Sequence, residues 1–363
     1  MVPRPSLQVR TQGRKKAVCI GVSYGSLPDP KLRLRSTFAD VDRIQKLLEE
    51  RFDYPPGNIS VLKDDGLPGS VCPTRENIMK AIQDLVADAK PGDRLVFHFS
   101  GHGSQKENHD GTEKDGKDEG SILSLRTLRD FYASTTSIAI WPSDVVIGEA
   151  FGDIEGIILD DEIRTELVNK VPDGAYLVII FDCCHSGTAA DLPHTHSDHY
   201  RVSHRKGPLS LPNNKVTVLS PKTPSDAGDG ESPVTVVSQA EIESAISPTS
   251  ASTDDTAVEI QQLPTVVAWA ACTDPKQAYS NDKGGVFIAA FDQVLRTHDN
   301  ATPHEALLHA IREQMQKYYA EKLKAKKLKH EKYQELLEKL VHPQLGCLHD
   351  YPRLLTSPLS SVF

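Results

Sequence analysis

Short apolar runs alternate along this chain with stretches in which apolar residues recur every three or four positions. Ala17-Val18-Cys19-Ile20-Gly21-Val22, Ile59-Ser60-Val61-Leu62, Leu95-Val96-Phe97-His98-Phe99, Tyr176-Leu177-Val178-Ile179-Ile180-Phe181 and Thr265-Val266-Val267-Ala268-Trp269-Ala270 read as strands. Between them, Val41, Ile44, Leu47 and Leu48 fall on one face of a helix expected over 37–52. Further helices are expected over 74–89, with Thr74 as N-cap and Asn77 and Ile78 behind it, over about 160–171, and over about 285–298. A long charged helix, about 302–340, should pack Leu308, Ile311, Met315 and Tyr318 inward and project into solvent beyond Ala325. Strands and helices in this order predict an α/β fold with a mostly parallel sheet covered on both faces.

Residues 192–262 break the rhythm. They are rich in Ser, Thr, Pro, Asp and Gly and bury too little apolar area to fold alone, so they read as a flexible linker. The expected organisation is a short disordered segment 1–14, a large region 15–191, the linker, and a small region 263–363 with the long helix.

Composition narrows the function classes. The chain has 363 residues and a net charge of -9, which argues against nucleic acid as the main partner. It has no apolar run of about 18 residues to span a membrane, and its start, Met1-Val2-Pro3-Arg4-Pro5, lacks the apolar stretch of a secretory signal. Six cysteines without paired metal-ligand spacing suit free thiols in a reducing compartment, with Cys19, Cys72, Cys272 and Cys347 as core or incidental residues. A monomer in the cytoplasm is expected, with the nucleus as the alternative if the basic run 324–332 acts as an address; that run reads first as a solvated helix face.

The candidate chemistry sits where two strands end. Phe99-Ser100-Gly101-His102-Gly103-Ser104 and Phe181-Asp182-Cys183-Cys184-His185-Ser186-Gly187 put a histidine and a cysteine at the C-terminal ends of buried strands, where open α/β sheets present their reactive groups. Cys183 and Cys184 alternate in direction, so Cys183 reads as packing. SGHGS followed by D-x-CHSG resembles the metacaspases, caspase-like cysteine peptidases that cut after arginine or lysine. The resemblance covers about 15–191 and 263–350 and implies the caspase fold, a six-stranded sheet built by a large and a small region. It makes Cys184 the nucleophile and His102 its acid/base partner. The oxyanion hole it implies is the amides of Gly103 and Cys184, and it leaves His185 outside the chemistry. It also makes residues 121–140 an insertion ahead of Trp141-Pro142-Ser143-Asp144, and implies a type I-like arrangement, expected here without a long prodomain ahead of Arg14.

Asp182, two residues before Cys184, points to the same side of its strand. By resemblance Asp40 joins it in the pocket for the first substrate side chain, with Thr37 and Ser100 as hydrogen-bond donors; Ser36 and Thr37 stand where the family has Gly-Cys. Two carboxylates favour a guanidinium or ammonium and repel aspartate. The resemblance further implies calcium held by Asp118, Asp160, Asp161 and Asp191, hard oxygen ligands of the kind calcium takes. Asp160 and Asp161 are equally suited to a helix N-terminus, and Asp110 and Asp115 are alternative ligands. The expected partners are proteins or peptides with Arg or Lys at the cleaved bond, among them the linker's own Arg201, Arg205, Lys206, Lys215 and Lys222. Family membership implies stress or cell-death proteolysis; a caspase-like scaffold that binds misfolded protein independently of Cys184 is the competing reading.

Overall fold

The computed structural model describes residues 13–107, 136–148, 154–183, 190, 192–197, 263–271, 280–281, 284–325, 342–349 and 351–363. In chain order these form β1 (Lys15–Gly21), α1 (Thr37–Phe52), β2 (Ile59–Lys63), α2 (Arg75–Val86), β3 (Arg94–Ser100), β4 (Gly103–Glu107), β5 (Thr136–Ile140), β6 (Val146–Ile147), β7 (Ile154–Glu155), β8 (Ile158–Leu159), α3 (Asp160–Glu166), β9 (Tyr176–Asp182), β10 (His194–Ser197), β11 (Thr265–Ala270), β12 (Ser280–Asn281), β13 (Gly284–Gly285), α4 (Val286–Thr297), α5 (His304–Ala325), β14 (Gln344–Cys347) and α6 (Tyr351–Thr356). Among them no helix is long and apolar enough to cross a membrane.

The main sheet runs β10-β14-β11-β9-β3-β1-β2. From β2 to β11 neighbouring strands are parallel, and β14 and β10 close one side antiparallel. The five strands read from the apolar runs are all here, and β14 is the sixth that the resemblance required. Gln344-Leu345-Gly346-Cys347 has no periodicity that would announce a strand; β11 recruits it, pairing Trp269 with Leu345. The edge strand β10 corrects the expected linker boundary, because residues 194–197 pair with β14 instead of belonging to a flexible segment. The rest of the expected linker, 198–262, lies outside the described residues.

Side chains alternate across the strands and so divide the core in two. On one face Val18, Ile20, Leu95, Phe97, Leu177 and Ile179 pack with Ile78, Ile82 and Leu85 of α2 and Ile163 of α3. On the other, Cys19, Val96, Val178, Ile180 and Trp269 pack with Val41, Ile44 and Leu48 of α1, Phe287 and Phe291 of α4, and Leu308 and Ile311 of α5. Each such fully buried aliphatic or aromatic side chain stabilises the fold by roughly 1.5–3 kcal/mol. Helices therefore cover both faces, as expected. Thr74 caps α2, its hydroxyl accepting from the Asn77 amide at 3.3 Å.

Three expectations need correction. The third helix ends at Glu166 and tightens into a short 3-10 turn over Val168–Lys170, because Pro172 bars helical backbone at Val171. On α5 the inward set is larger than expected: Tyr319 is buried as well, while Tyr318 is half-buried, packs against the same core and donates its hydroxyl to Gln293 Oε1 at 2.5 Å. Ile138, Ala139 and Ile140, expected inside an insertion, form the buried middle of a three-stranded sheet β4-β5-β8. Residues 121–135 and the part of the expected long helix beyond Ala325 lie outside the described residues.

Candidate active site

The chain runs from β1 out to β2 and then returns across β1 to β3 and β9, so the strand order reverses between β1 and β3. At such a reversal the connections leave in opposite directions and open a crevice beyond the strand ends. Ser100 and Asp182, the last residues of β3 and β9, face each other in register, and the Gly101 amide donates to the Asp182 carbonyl at 3.3 Å. His102 and Cys184 each follow that registered pair by two residues. Cys184 lies outside the described residues, as do Asp118 and Asp191. Cys183 is buried in the apolar core, in keeping with a packing role.

His102 is held from several sides. Its Nε2 lies 2.7 Å from the Leu32 carbonyl. A carbonyl only accepts, so Nε2 carries the ring proton and Nδ1 is left as the basic nitrogen. The His102 amide donates to the Tyr24 hydroxyl at 2.7 Å, and that hydroxyl donates to the Trp141 carbonyl at 2.8 Å. The Trp141 amide returns a bond to the His102 carbonyl at 3.1 Å. Tyr24 and Trp141 also flank the imidazole, their ring centroids 4.6 and 5.3 Å away. Burial lowers the imidazole's pKa against the opposing pull of Leu32, so the ring is neutral at physiological pH. Tyr24 itself has φ 57, unusual for a bulky residue, and strain of this kind collects where a site over-determines its geometry. Gly103 begins β4, opposite Ile140.

The second group lies beside it, on the face covered by α1 and α4. Ser100 donates its hydroxyl to Asp40 Oδ2 at 2.9 Å, and the Gly285 amide donates to Asp40 Oδ1 at 2.7 Å. Thr37 stands one turn before Asp40 on α1, buried, its hydroxyl without a partner among the described residues. Asp182 abuts Gly285: a Cβ there would stand 1.7 Å from Asp182 Oδ2, so only glycine allows this approach. Gly284 has φ +126, which L side chains rarely adopt. Burial pushes Asp40 up to about 6, opposed by the Gly285 amide, the Ser100 hydroxyl and Arg43. Burial, and then the charge of Asp40, push Asp182 well above the usual carboxylate range, with the Ile288 amide in the first turn of α4 pulling back. Asp182 Oδ2 has no hydrogen-bond partner among the described residues. The structure thus brings together Asp40, Asp182, Ser100 and Thr37.

Asp160 and Asp161 open α3. Asp160 is buried and already occupied: Oδ2 accepts from the Ile138 amide at 2.9 Å and Oδ1 from the Asp161 amide at 3.0 Å. Asp161 is exposed. Asp160 thus serves the backbone at the start of α3 and at β5, and both side chains are oxygen donors of the kind a hard cation takes. No group of three or more potential ligands occurs among the described residues, which exclude the other two expected aspartates.

Comparison with known proteins decides the family. A family model for the caspase domain of the C14 peptidases matches residues 14–341. The chain belongs to the caspase-domain family of cysteine peptidases. Among its relatives, a metacaspase-1 of Yarrowia lipolytica is 39% identical over 202 residues, covering 55% of this chain and 36% of that one. A metacaspase-1 of Debaryomyces hansenii is 30% identical over 353 residues, covering 93% and 65%. A metacaspase-1B of Aspergillus fumigatus is 36% identical over 185 residues, covering 51% and 38%. The match thus spans between about a third and two thirds of these relatives' length. Membership meets the expectations of a caspase-like α/β fold and a metacaspase-type sequence.

Several residues of this caspase-domain site escaped the sequence. Leu32, Tyr24 and Trp141 act through backbone carbonyls, a hydroxyl and ring faces, which leave no motif. Gly284-Gly285 ahead of the apolar run Val286-Phe287-Ile288 was a visible signal, since paired glycines before a helix mark close backbone approach.

Proposed function

We propose that this protein is a cysteine endopeptidase that cleaves after Arg or Lys, is activated by calcium and processes its own linker. The observation that carries the specificity is the pair of buried carboxylates, Asp40 and Asp182, the second with an oxygen lacking any partner among the described residues. An isolated buried carboxylate is costly, and a substrate guanidinium or ammonium offsets that cost while an aspartate would raise it.

In this reading the Cys184 thiol gives its proton to His102 Nδ1, and the sulfur attacks the carbonyl carbon of the scissile bond. The amides of Gly103 and Cys184 bear the charge that develops on oxygen. As the C–N bond breaks, His102 returns the proton to the leaving amine. Water, deprotonated by the same nitrogen, then attacks the thioester, releasing the acid and restoring the thiol. The Leu32 carbonyl keeps the imidazole in the required tautomer throughout. Calcium, when bound, would supply a fixed positive charge that orders acidic loops; Asp160 and Asp161 would hold it with Asp118 and Asp191. Stress-related proteolysis, and the linker bonds after Arg201, Arg205 and Lys206, are the proposed setting and first substrates.

Fluorogenic peptides ending in Arg, Lys or Asp, assayed with and without millimolar calcium, test this. Cleavage after Arg and Lys that calcium stimulates and that Cys184→Ala removes is the expected result. Efficient cleavage after Asp overturns the specificity, and equal rates with chelator present overturn the calcium requirement.

A further inference from the structure

Two buried atoms of opposite character lie without hydrogen-bond partners among the described residues on either side of the glycine pair. One is Asp182 Oδ2; the other is Arg43 Nη1, one turn beyond Asp40 on α1. We propose that Arg43 is the resident cation of the acidic pocket: it holds the charge on Asp40 while the pocket is empty, and so decides how acidic the medium can become before a basic side chain is no longer accepted. This rests on the pocket reading given above.

The geometry is specific. Arg43 Nη1 comes within 2.5 Å of the point where a Cβ on Gly284 would stand, and Asp40 Oδ1 lies 2.6 Å from that same point. Guanidinium and carboxylate therefore share the space that a side chain at Gly284 would fill, inside the roughly 4–6 Å over which an opposite charge favours an ionised carboxylate. Arg43 does not bond Asp40 directly; the Ser100 hydroxyl and Gly285 amide occupy those oxygens. Its Nη1 stays buried beside the carboxylate without a hydrogen-bond partner among the described residues, a through-space counter-charge.

The other groups around the carboxylates cannot take this part. From β3 comes the Ser100 hydroxyl and from β13 and α4 come backbone amides, all uncharged. Asp182 on β9 is itself acidic. In the row beneath, Cys19 on β1 and His98 on β3 are fully buried. Burial pushes the Cys19 thiol up to about 12 and the His98 imidazole down to about 3, so both are neutral across the working range. Arg43 is the cation among the described residues that lowers Asp40. It favours the ionised form of Asp40, while burial and the Asp40 charge push the Asp182 carboxyl well above the usual carboxylate range.

The test compares the parent with Arg43→Gln, with Arg43→Lys as the conservative rescue and Lys283→Gln as a control for the basic residue next to Gly284 in the sequence. Carboxyl carbon NMR reads the Asp40 titration directly, assigned by its loss in Asp40→Asn, and kcat/KM for an Arg peptide is measured from pH 5 to 9. Arg43→Gln should raise Asp40's proton affinity about tenfold, the smaller end of what losing such a counter-charge does. The acid limb of kcat/KM should move up with it, giving about a tenfold loss near pH 6, little change at pH 8.5, and recovery in Arg43→Lys. An unmoved Asp40 signal overturns the inference whatever the enzyme cleaves. So does a loss of activity equal at every pH, which is what a merely structural Arg43 would show. A moved signal in a parent that leaves Arg and Lys peptides intact instead overturns the pocket reading, and with it the consequence drawn for specificity.

Discussion

The two polar groups at the end of this sheet are treated in opposite ways. At the His102 corner, the ring Nε2, the amide and the carbonyl of the histidine each have a bond within the chain, through Leu32, Tyr24 and Trp141. In the acidic pocket, Thr37 Oγ1, Arg43 Nη1 and Asp182 Oδ2 are buried without partners among the described residues. Buried polar atoms are normally satisfied. A corner that must present one nitrogen in one tautomer gains from complete satisfaction, whereas a pocket that takes a charged side chain, as proposed above, would keep bonding capacity for it. The folded chain thus carries a desolvation cost at Asp40 and Asp182 that, on the proposed specificity, a substrate cation would relieve.

On the proposed mechanism, the sharpest break between a reacting group and a packed one lies inside the Cys183-Cys184 pair. Cys184→Ala should lower kcat by at least about ten-thousandfold, as removal of a catalytic nucleophile does. Cys183→Ala should keep activity within roughly tenfold of the parent, with only the modest stability loss of a small core cavity. Equal losses in a peptide assay would erase the distinction.

Asp182→Asn should separate binding from stability. Cleavage after Arg should fall on the order of a hundredfold or more in kcat/KM, since the incoming cation meets one carboxylate instead of two. Thermal stability should change the other way. The folded state holds a proton on Asp182 at pH values where the unfolded chain has lost it, so stability falls as pH rises from the ordinary carboxylate value through the raised one. Asparagine carries no such cost, so Tm should rise by roughly 2–4 °C at pH 8 and hardly at pH 4. A lower Tm at pH 8 would show that Asp182 is structural.

At the histidine corner, Tyr24→Phe keeps the ring and removes only the hydroxyl. Leaving the His102 amide and Trp141 carbonyl unpaired should cost about tenfold in kcat with KM nearly unchanged. A KM effect without a kcat effect would move Tyr24 from positioning the histidine to binding substrate. The smallest contrast is at α3. Asp160→Ala orphans the Ile138 amide and should destabilise by about 1–3 kcal/mol in urea unfolding. Asp161→Ala, at an exposed position, should leave unfolding within about 0.5 kcal/mol while weakening the calcium response; an unchanged response would remove Asp161 from the cation site.

Much of this was legible in order. Thr37–Phe52 and Thr265–Ala270 appear with the expected bounds because their apolar periodicity is undiluted. Gln344–Cys347 and His194–Ser197 were illegible because a strand whose partner is already formed needs little pattern of its own. His102 and Asp182 could be placed from the chain because each lies at or just beyond a strand end that the apolar runs mark, whereas the roles of Gly103 and Ser100 came with the resemblance.

By itself, then, the sequence determined the alternation of strands and helices, the strand ends on which the reactive residues sit, and the residue types available there, since these follow from local periodicity and short spacing. Only the tertiary structure decided which carbonyl orients His102, that Asp160 serves the backbone of β5, and that Arg43, Gly284 and Gly285 meet Asp40 and Asp182 in one place. Those facts depend on segments 22, 70 and 245 residues apart being brought together by the way the strands pair, and no local pattern encodes that pairing.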